Sequence, residues 1–293
     1  MSKELLKSLA PEWAKNIVRS RQKQRIRKEV KDLPKLDQKK LESILTNELG
    51  LEKGDTLLVH SSVDHLNLSF PFFGMIPLIK SILGEEGTFL MPAYPKLTSY
   101  KFLVSGAVFD VKRTPSYTGA LNEFLRRQPG SIRSLHPTKS VAGTGKNASE
   151  ILSTHHLSPY PYDFTSPYYK VSEFTGKFIG IGLDTTFLSA VHCADDSLKE
   201  KFPVFPYHNE IFEARCIDYD DNEIIVKTYA HDMKKMDFKL PEFFNKYLSK
   251  DICRDINISG MKFFVADARS FIERMVQLAE EEKITIYKKK FYK

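Results

Sequence analysis

The sequence predicts an α/β protein with a mixed sheet flanked by helices, and three observations carry that reading. Strand-like and helix-like stretches alternate along most of the 293 residues, the pattern of a sheet covered by helices. Thr56-Leu57-Leu58-Val59-His60 is a continuous apolar run of strand length, suited to a sheet buried on both faces. Two β-prone runs, 211–217 and 223–229, flank Asp220-Asp221-Asn222 as a hairpin, so the sheet is mixed rather than purely parallel.

From the N-terminus, residues 2–31 read as one or two amphipathic helices, with Leu5, Leu6, Leu9, Trp13, Ile17 and Val18 on an apolar side, ended by Asp32-Leu33-Pro34. A helix over 37–49 has Asp37 as N-cap and stops at Gly50. After the first strand come a helix over 75–83, a strand over 88–91, helices over 119–127 and 148–154, and a strand over 176–182. A long helix over 185–200 is expected next, then the hairpin, and a last helix over 266–281 before a Lys-rich tail. The division is a basic extension, 1–36, and a body, 37–293.

Composition narrows the class. No apolar run approaches a bilayer span, and the N-terminal segment is charged throughout, so a cytoplasmic protein is expected. Cys193, Cys216 and Cys253 are odd in number and far apart, which argues against a disulfide framework and a zinc site; no metal is expected. The net charge is +7, but residues 1–40 hold thirteen Lys/Arg against five Asp/Glu, a balance of +8 that leaves the remainder at −1. A near-neutral body without a reader motif argues against nucleic-acid binding. The basic extension suits peripheral contact with an anionic membrane surface; packing of Trp13 against the body or a second subunit is the other reading.

Three segments place small and polar residues where strands hand over to helices, which is where open α/β sheets bind ligands. Val59-His60-Ser61-Ser62 offers hydroxyls and backbone N–H groups to a phosphate, or Ser61 and Ser62 merely turn and cap. Thr114-Pro115-Ser116-Tyr117-Thr118-Gly119 offers donors at a helix start, with Arg133-Ser134 supplying a cation nearby, and His136 is either a ligand contact or a packed histidine. Thr185-Thr186 leads to His192, with Asp195 and Asp196 three and four residues on, one face of a helix, so that a carboxylate can orient the imidazole as a general base. Cys193 is not placed to pair with His192.

Taken in order, GDTLLVHSSVDHL, GEEGTFLMPAY, the stretch from VFDVKRTPSYTGA to SVAGTGKNA, TSPYYKV, GKFIGIGLDTTFLSAVHCADD and GMKFFVADARSFI resemble the aminoglycoside 3-N-acetyltransferase family, across about residues 41–280. The resemblance implies an antibiotic N-acetyltransferase-like fold, acetyl-CoA as cosubstrate, and direct transfer to a primary amine. It assigns the coenzyme to His60, Ser61, Ser62, Thr114, Ser116, Gly119, Arg133 and Ser134, and the base to His192. Asp195 stands where the family has Glu, and Asp232 lies where it places a supporting acid. His136, Tyr162, Asp163 and His231 fall to the acceptor.

Two departures bear on the acceptor. The glycine-pair turn after VHSS is replaced by an aromatic stretch, residues 67–74, and residues 157–167 are Tyr-rich, which suits the apolar faces of sugar rings. The expectation is an amino sugar of a surface polysaccharide pathway, nucleotide- or lipid-linked, with an aminoglycoside as the alternative; a non-catalytic CoA-binding descendant and a homo-oligomer are the remaining options.

Overall fold

The structure is a computed structural model that describes residues 20, 21, 24–26 and 28–293. The apolar positions Leu5, Leu6, Leu9, Trp13, Ile17 and Val18 lie outside the described residues.

The main sheet is built from β1 (Thr56–Ser61), β2 (Thr88–Pro92), β4 (Ile132–Arg133), β5 (Val141–Gly145), β6 (Gly176–Ile181), β9 (Cys253–Ile258) and β10 (Met261–Asp267). These seven strands lie in the order β4-β5-β2-β1-β6-β10-β9. The centre is parallel, β1 pairing with β2 and β6, and both flanks are antiparallel. The mixed sheet is thus as the sequence predicts, with the mixing in the main sheet itself. The 211–229 hairpin is real, as β7 (Phe212–Ile217) and β8 (Glu223–Thr228), but it joins β3 (Phe109–Asp110) in a separate three-stranded sheet.

Alternation along the strands builds two cores. Leu57 and Val59 point to one face and Leu58 to the other; Ile179 and Phe178, and Phe263 and Phe264, divide in the same way. One face is covered by the helix Ala268–Glu280 through Phe271, Ile272, Met275 and Leu278, the helix being capped by Asp267, whose side chain accepts from Ser270 N. The other is covered by the helices Gln38–Ser43, Met75–Leu83 and Ala120–Arg126, the first with Asp37 as the N-cap. Leu36 is fully buried in that second core and bridges to Leu68, so the body reaches back at least that far.

Strands β5, β9 and β10 have no counterpart among the elements predicted above. Val141–Gly145 is too rich in small residues to register as a strand, and β9–β10 turn on Ser259-Gly260, both at positive φ, the requirement of a two-residue type I′ hairpin. The predicted helix over 185–200 is corrected. Two 3₁₀ turns, Thr185–Phe187 and Ser189–His192, precede a short helix, Cys193–Leu198, because Leu188 is extended (ψ 90°), and Lys199 at φ 51° ends that helix.

Candidate active site

The parallel trio β2-β1-β6 delivers its carboxyl ends to one place, the crevice in which open sheets bind ligands. From β1 come His60, Ser61 and Ser62; from β2, Pro92 and Tyr94; from beyond β6, Leu183 and the 3₁₀ turns leading to His192.

His192 Nδ1 lies 2.9 Å from Asp195 Oδ2, with the imidazole 12% and the carboxylate 2% exposed. Tyr287 Oη donates to the same carboxylate oxygen and stands 3.3 Å from His192 Nδ1. Burial raises the Asp195 carboxyl, and the imidazole and the Tyr287 hydroxyl counter that shift. With Nδ1–H engaged by the carboxylate, Nε2 is the free basic nitrogen. The ring is fixed by Tyr162 and His231, whose centroids lie 5.2 and 4.5 Å away. Asp196, expected beside Asp195, turns elsewhere: it accepts from Tyr162 N and Tyr207 Oη at 2.8 and 2.6 Å. One further residue along a helix rotates the side chain by about 100°, enough to move it from the imidazole to the wall behind it. Cys193 is fully buried and its thiol is pushed well above its ordinary value, chiefly by burial, which disfavours the thiolate that a nucleophile needs.

His192 and His231 line a cavity of about 480 Å³, within the range of small-molecule sites. Tyr94, Thr118, Phe187 and Ser189 are shared with a narrower neck of about 160 Å³, and Ser61, Thr118, Leu183 and Phe187 connect the neck to an outer cleft of about 610 Å³. Cavity, neck and cleft thus lie in series through shared lining residues, a candidate path with His192 at the cavity end.

Of the residues the sequence assigned to a coenzyme, the path gathers His60, Ser61, Ser62 and Gly119. Ser61 Oγ donates to Asn122 Oδ1 at 3.3 Å, and Asn122 Nδ2 donates to the Pro92 carbonyl at 2.8 Å. Gly119 at φ 153° begins the helix Ala120–Arg126, and a Cβ there would come within 2.9 Å of Asn122 Oδ1. His60 Nε2 is 3.3 Å from Ser189 Oγ, and its buried Nδ1 has no partner.

The other four are elsewhere. Arg133 is buried, donating to Ser140 Oγ at 3.0 Å and to the Thr114 and Ala93 carbonyls over the Phe109 ring; it ties segments together and has no open face for a phosphate. Ser134 accepts from Val141 N and contacts His155 Nδ1. Thr114 Oγ1 accepts from Asp110 N at 2.8 Å. Ser116 Oγ contacts Thr118 Oγ1 at 2.8 Å and so supports a lining residue without lining the path itself.

On the acceptor side, His231 lines the cavity and Tyr162 backs His192, but Asp163 faces inward to Ser158 Oγ and Thr165 N, where its carboxylate closes a loop. Asp232 caps its own turn, accepting from Lys234 N at 3.0 Å, and is not among the partners of His192. His136 is the packed histidine of the two alternatives: stacked on His155, it accepts from Thr138 N and Lys139 N on Nδ1, while Nε2–H meets Thr228 Oγ1 at 3.2 Å. The aromatic stretch 67–74 sends Phe72 to the outer cleft, not to the His192 cavity. The sequence reading missed Tyr287, which sits in what reads as a basic tail, and Lys139 and Thr138, which immediately follow the His136-Pro137 pair it singled out.

Burial holds His60 and His155 down at about 3 and His136 and His231 well below the ordinary range, so all four are neutral in the fold. Their depressed values contribute stability that is complete above the unfolded value near 6.5 and is lost as pH falls below it, roughly 1–2 kcal/mol each by pH 5. Asp195 and Asp196, raised by burial, pull the other way but are outnumbered. The thermal midpoint at pH 5 is therefore expected below that at pH 7, by scanning calorimetry; an equal or higher midpoint contradicts the neutral-histidine assignment.

Among the described residues no group of three or more His, Cys, Asp or Glu could hold a metal ion, and no helix is long and apolar enough to cross a membrane. A base oriented by a buried carboxylate at the inner end of a long cleft, on this sheet, fits a group-transfer enzyme that activates an amine. The family model of the aminoglycoside 3-N-acetyltransferases matches residues 58–280, and the chain belongs to that family; it is an N-acetyltransferase. It is 25% identical over 203 residues to aminoglycoside N(3)-acetyltransferase III of Salmonella sp, covering 61% of this chain and 70% of that protein, and 30% identical over 186 residues to aminoglycoside N(3)-acetyltransferase IV of Salmonella sp, covering 62% and 68%. In fold it is similar to aminoglycoside acetyltransferase AAC(3)-Xa (TM-score 0.70, 19% identity, 89% of this chain and 98% of that one) and to AAC-IIIb solved with CoASH (TM-score 0.67, 23% identity, 85% and 98%).

Proposed function

We propose that this chain transfers the acetyl group of acetyl-CoA directly to an amine of an amino sugar, with His192 as general base and Asp195 as its orienting partner. The observation that carries the reading is the His192–Asp195 pair, locked by Tyr287, at the inner end of the cleft. Acetyl-CoA enters from the outer cleft past Ser61, Ser62 and Gly119, and its thioester reaches through the neck to the cavity. The amine nitrogen attacks the thioester carbonyl, His192 Nε2 takes the proton that the nitrogen gives up, the C–S bond breaks to expel the thiolate of coenzyme A, and the protonated His192 returns that proton so that coenzyme A leaves as the thiol. Holding amine and thioester together in one chamber supplies much of the remaining acceleration. Abundant acetyl-CoA fits a cytoplasmic setting.

The names of the relatives support an aminoglycoside as the amino sugar. A role in surface polysaccharide synthesis rests only on the sequence departures, and so does a membrane role for residues 1–36.

The test is thiol release from acetyl-CoA by the full chain, with and without an amino sugar. Release should require the amine, and intact mass should show no acetylated protein. Cys193→Ala should keep turnover of the same order; a stable, competent acetyl-enzyme would overturn direct transfer. Asp195→Asn, which presents an amide to Nδ1 and disturbs the tautomer, should lower turnover by about 10²-fold or more with coenzyme binding unchanged.

A further inference from the structure

The inner cavity carries the wrong charge for a polycation. Its lining includes Lys139 and Lys96 and no Asp or Glu. The carboxylates around it are engaged elsewhere: Asp195 by His192 and Tyr287, Asp196 by Tyr162 and Tyr207, Asp163 by Ser158 and Thr165, and Asp232 and Asp237, which flank lining residues, by Lys234 N and the Lys288 ammonium. Lys139 is the informative residue. Its ammonium lies 5.0 Å from the Tyr94 ring centroid and 5.8 Å from that of Tyr162, and it makes no ion pair or hydrogen bond among the described residues. Burial lowers it to about 8 against a weaker pull from Asp196, which leaves it charged at neutral pH. A part-buried cation held over two rings, with no carboxylate in contact, has electrostatic stabilisation still to gain from an anion. Its backbone is fixed by the buried His136, which accepts from both Thr138 N and Lys139 N.

Two further groups point the same way. Thr138 Oγ1 and His231 Nε2 are buried, belong to residues lining this cavity and have no hydrogen-bond partner among the described residues. Buried polar atoms in folded proteins are almost always satisfied, so two orphans beside one unpaired ammonium mark the place of a ligand's polar group. The coenzyme is not that ligand on this geometry, because Lys139, Thr138 and His231 line only the inner cavity and neither the neck nor the outer cleft. The Tyr162 ring is 5.2 Å from His192 and 5.8 Å from the ammonium, so base and cation are reachable by a molecule the size of one substituted sugar.

We propose that the acceptor is an amino sugar that also bears an anionic group, a phosphate or carboxylate, which pairs with Lys139 with the help of Thr138 and His231 while its amine faces His192. This deepens the transfer reading above and rests on it. The geometry separates this chain from enzymes that must attract several ammonium groups at once, for which two lysines in the chamber are a repulsive element.

The experiment measures kcat/KM by thiol release with the full chain and four acceptors: glucosamine, glucosamine 6-phosphate, 2-amino-2-deoxyglucuronic acid and kanamycin. At low ionic strength one or both anionic sugars should exceed glucosamine by about tenfold or more, and kanamycin should be the poorest. The phosphate and carboxylate arms decide which anion is read. The preference should shrink as salt is raised, and in Lys139→Met the ratio of anionic to neutral acceptor should collapse to within about threefold. Kanamycin or glucosamine used as well as the anionic sugars would overturn the proposal. So would a Lys139→Met enzyme slowed equally on every acceptor, which would place the ammonium at the thioester oxygen instead. If no amine releases thiol, the transfer reading fails, and calorimetry with glucosamine 6-phosphate against glucosamine then judges the anion site alone: equal binding refutes it and tighter binding of the phosphate sustains it.

Discussion

His192→Ala is expected to lower kcat by about 10²- to 10⁴-fold, the usual contribution of a positioned general base, while the affinity for coenzyme A changes little. The split follows from where the side chain sits. It lines the inner cavity but neither the neck nor the outer cleft, so on the path proposed above the coenzyme's phosphates and adenosine lie away from it. Single-turnover thiol release against coenzyme binding by calorimetry separates the two quantities. A variant that loses coenzyme affinity and keeps its chemical rate would move His192 out of the base role, and one as active as the parent would remove it from the reaction.

Arg133→Met is expected to cost about 2–4 kcal/mol of folding stability, read from the denaturant midpoint. Methionine preserves much of the volume but removes the donors now satisfying Ser140 Oγ and the Thr114 and Ala93 carbonyls, in a site where the side chain is only 3% exposed. Below the transition the folded fraction should bind coenzyme A as the parent does. The reverse pattern, full stability with weakened coenzyme binding, would restore Arg133 to the phosphate-binding role that its residue type suggested.

Arg133 also illustrates what the chain disclosed before folding. The strand Thr56–Ser61, its continuous apolar run, the cap at Asp37 and the helix Ala120–Arg126 are local signals, written in adjacent residues, and they were legible. The pairing of His192 with Asp195 was legible too, because they stand only three positions apart. Inferences that required knowing which way a residue faces across the fold were mixed: His60, Ser61, Ser62, Gly119 and His231 face the pockets, and others do not. Arg133, Ser134 and Asp232 have the chemistry of ligand contacts, and each spends it on neighbouring backbone or on a buried side chain. Tyr287 was invisible for the opposite reason: 92 residues separate it from Asp195, and nothing in Ile284-Thr285-Ile286-Tyr287 distinguishes it from an ordinary strand-like tail. Acceptor selectivity was misplaced for the same cause. The aromatic stretch expected to disfavour polycations lies at the outer cleft, and the charge proposed above to do so belongs to Lys139, whose backbone N–H donates to His136.

Because Tyr287 is tied to Asp195, damage to the C-terminal segment would show itself in an unusual way. The segment after the last helix returns to the centre of the molecule, with Tyr287 on the carboxylate, a bridge from Tyr292 to Val204, and Lys293 N donating to the Pro203 carbonyl. Clipping by a protease between Glu281 and Ile284 would leave the seven-stranded sheet and its covering helices in place, since none of those strands lies beyond Asp267. Because Ile286 and Tyr287 are buried in the core over one face of the sheet, the nicked material should melt somewhat lower, and the imidazole would have lost the partner of its partner. Turnover per folded molecule should fall further than the melting temperature, and the two measured together reveal a nicked batch.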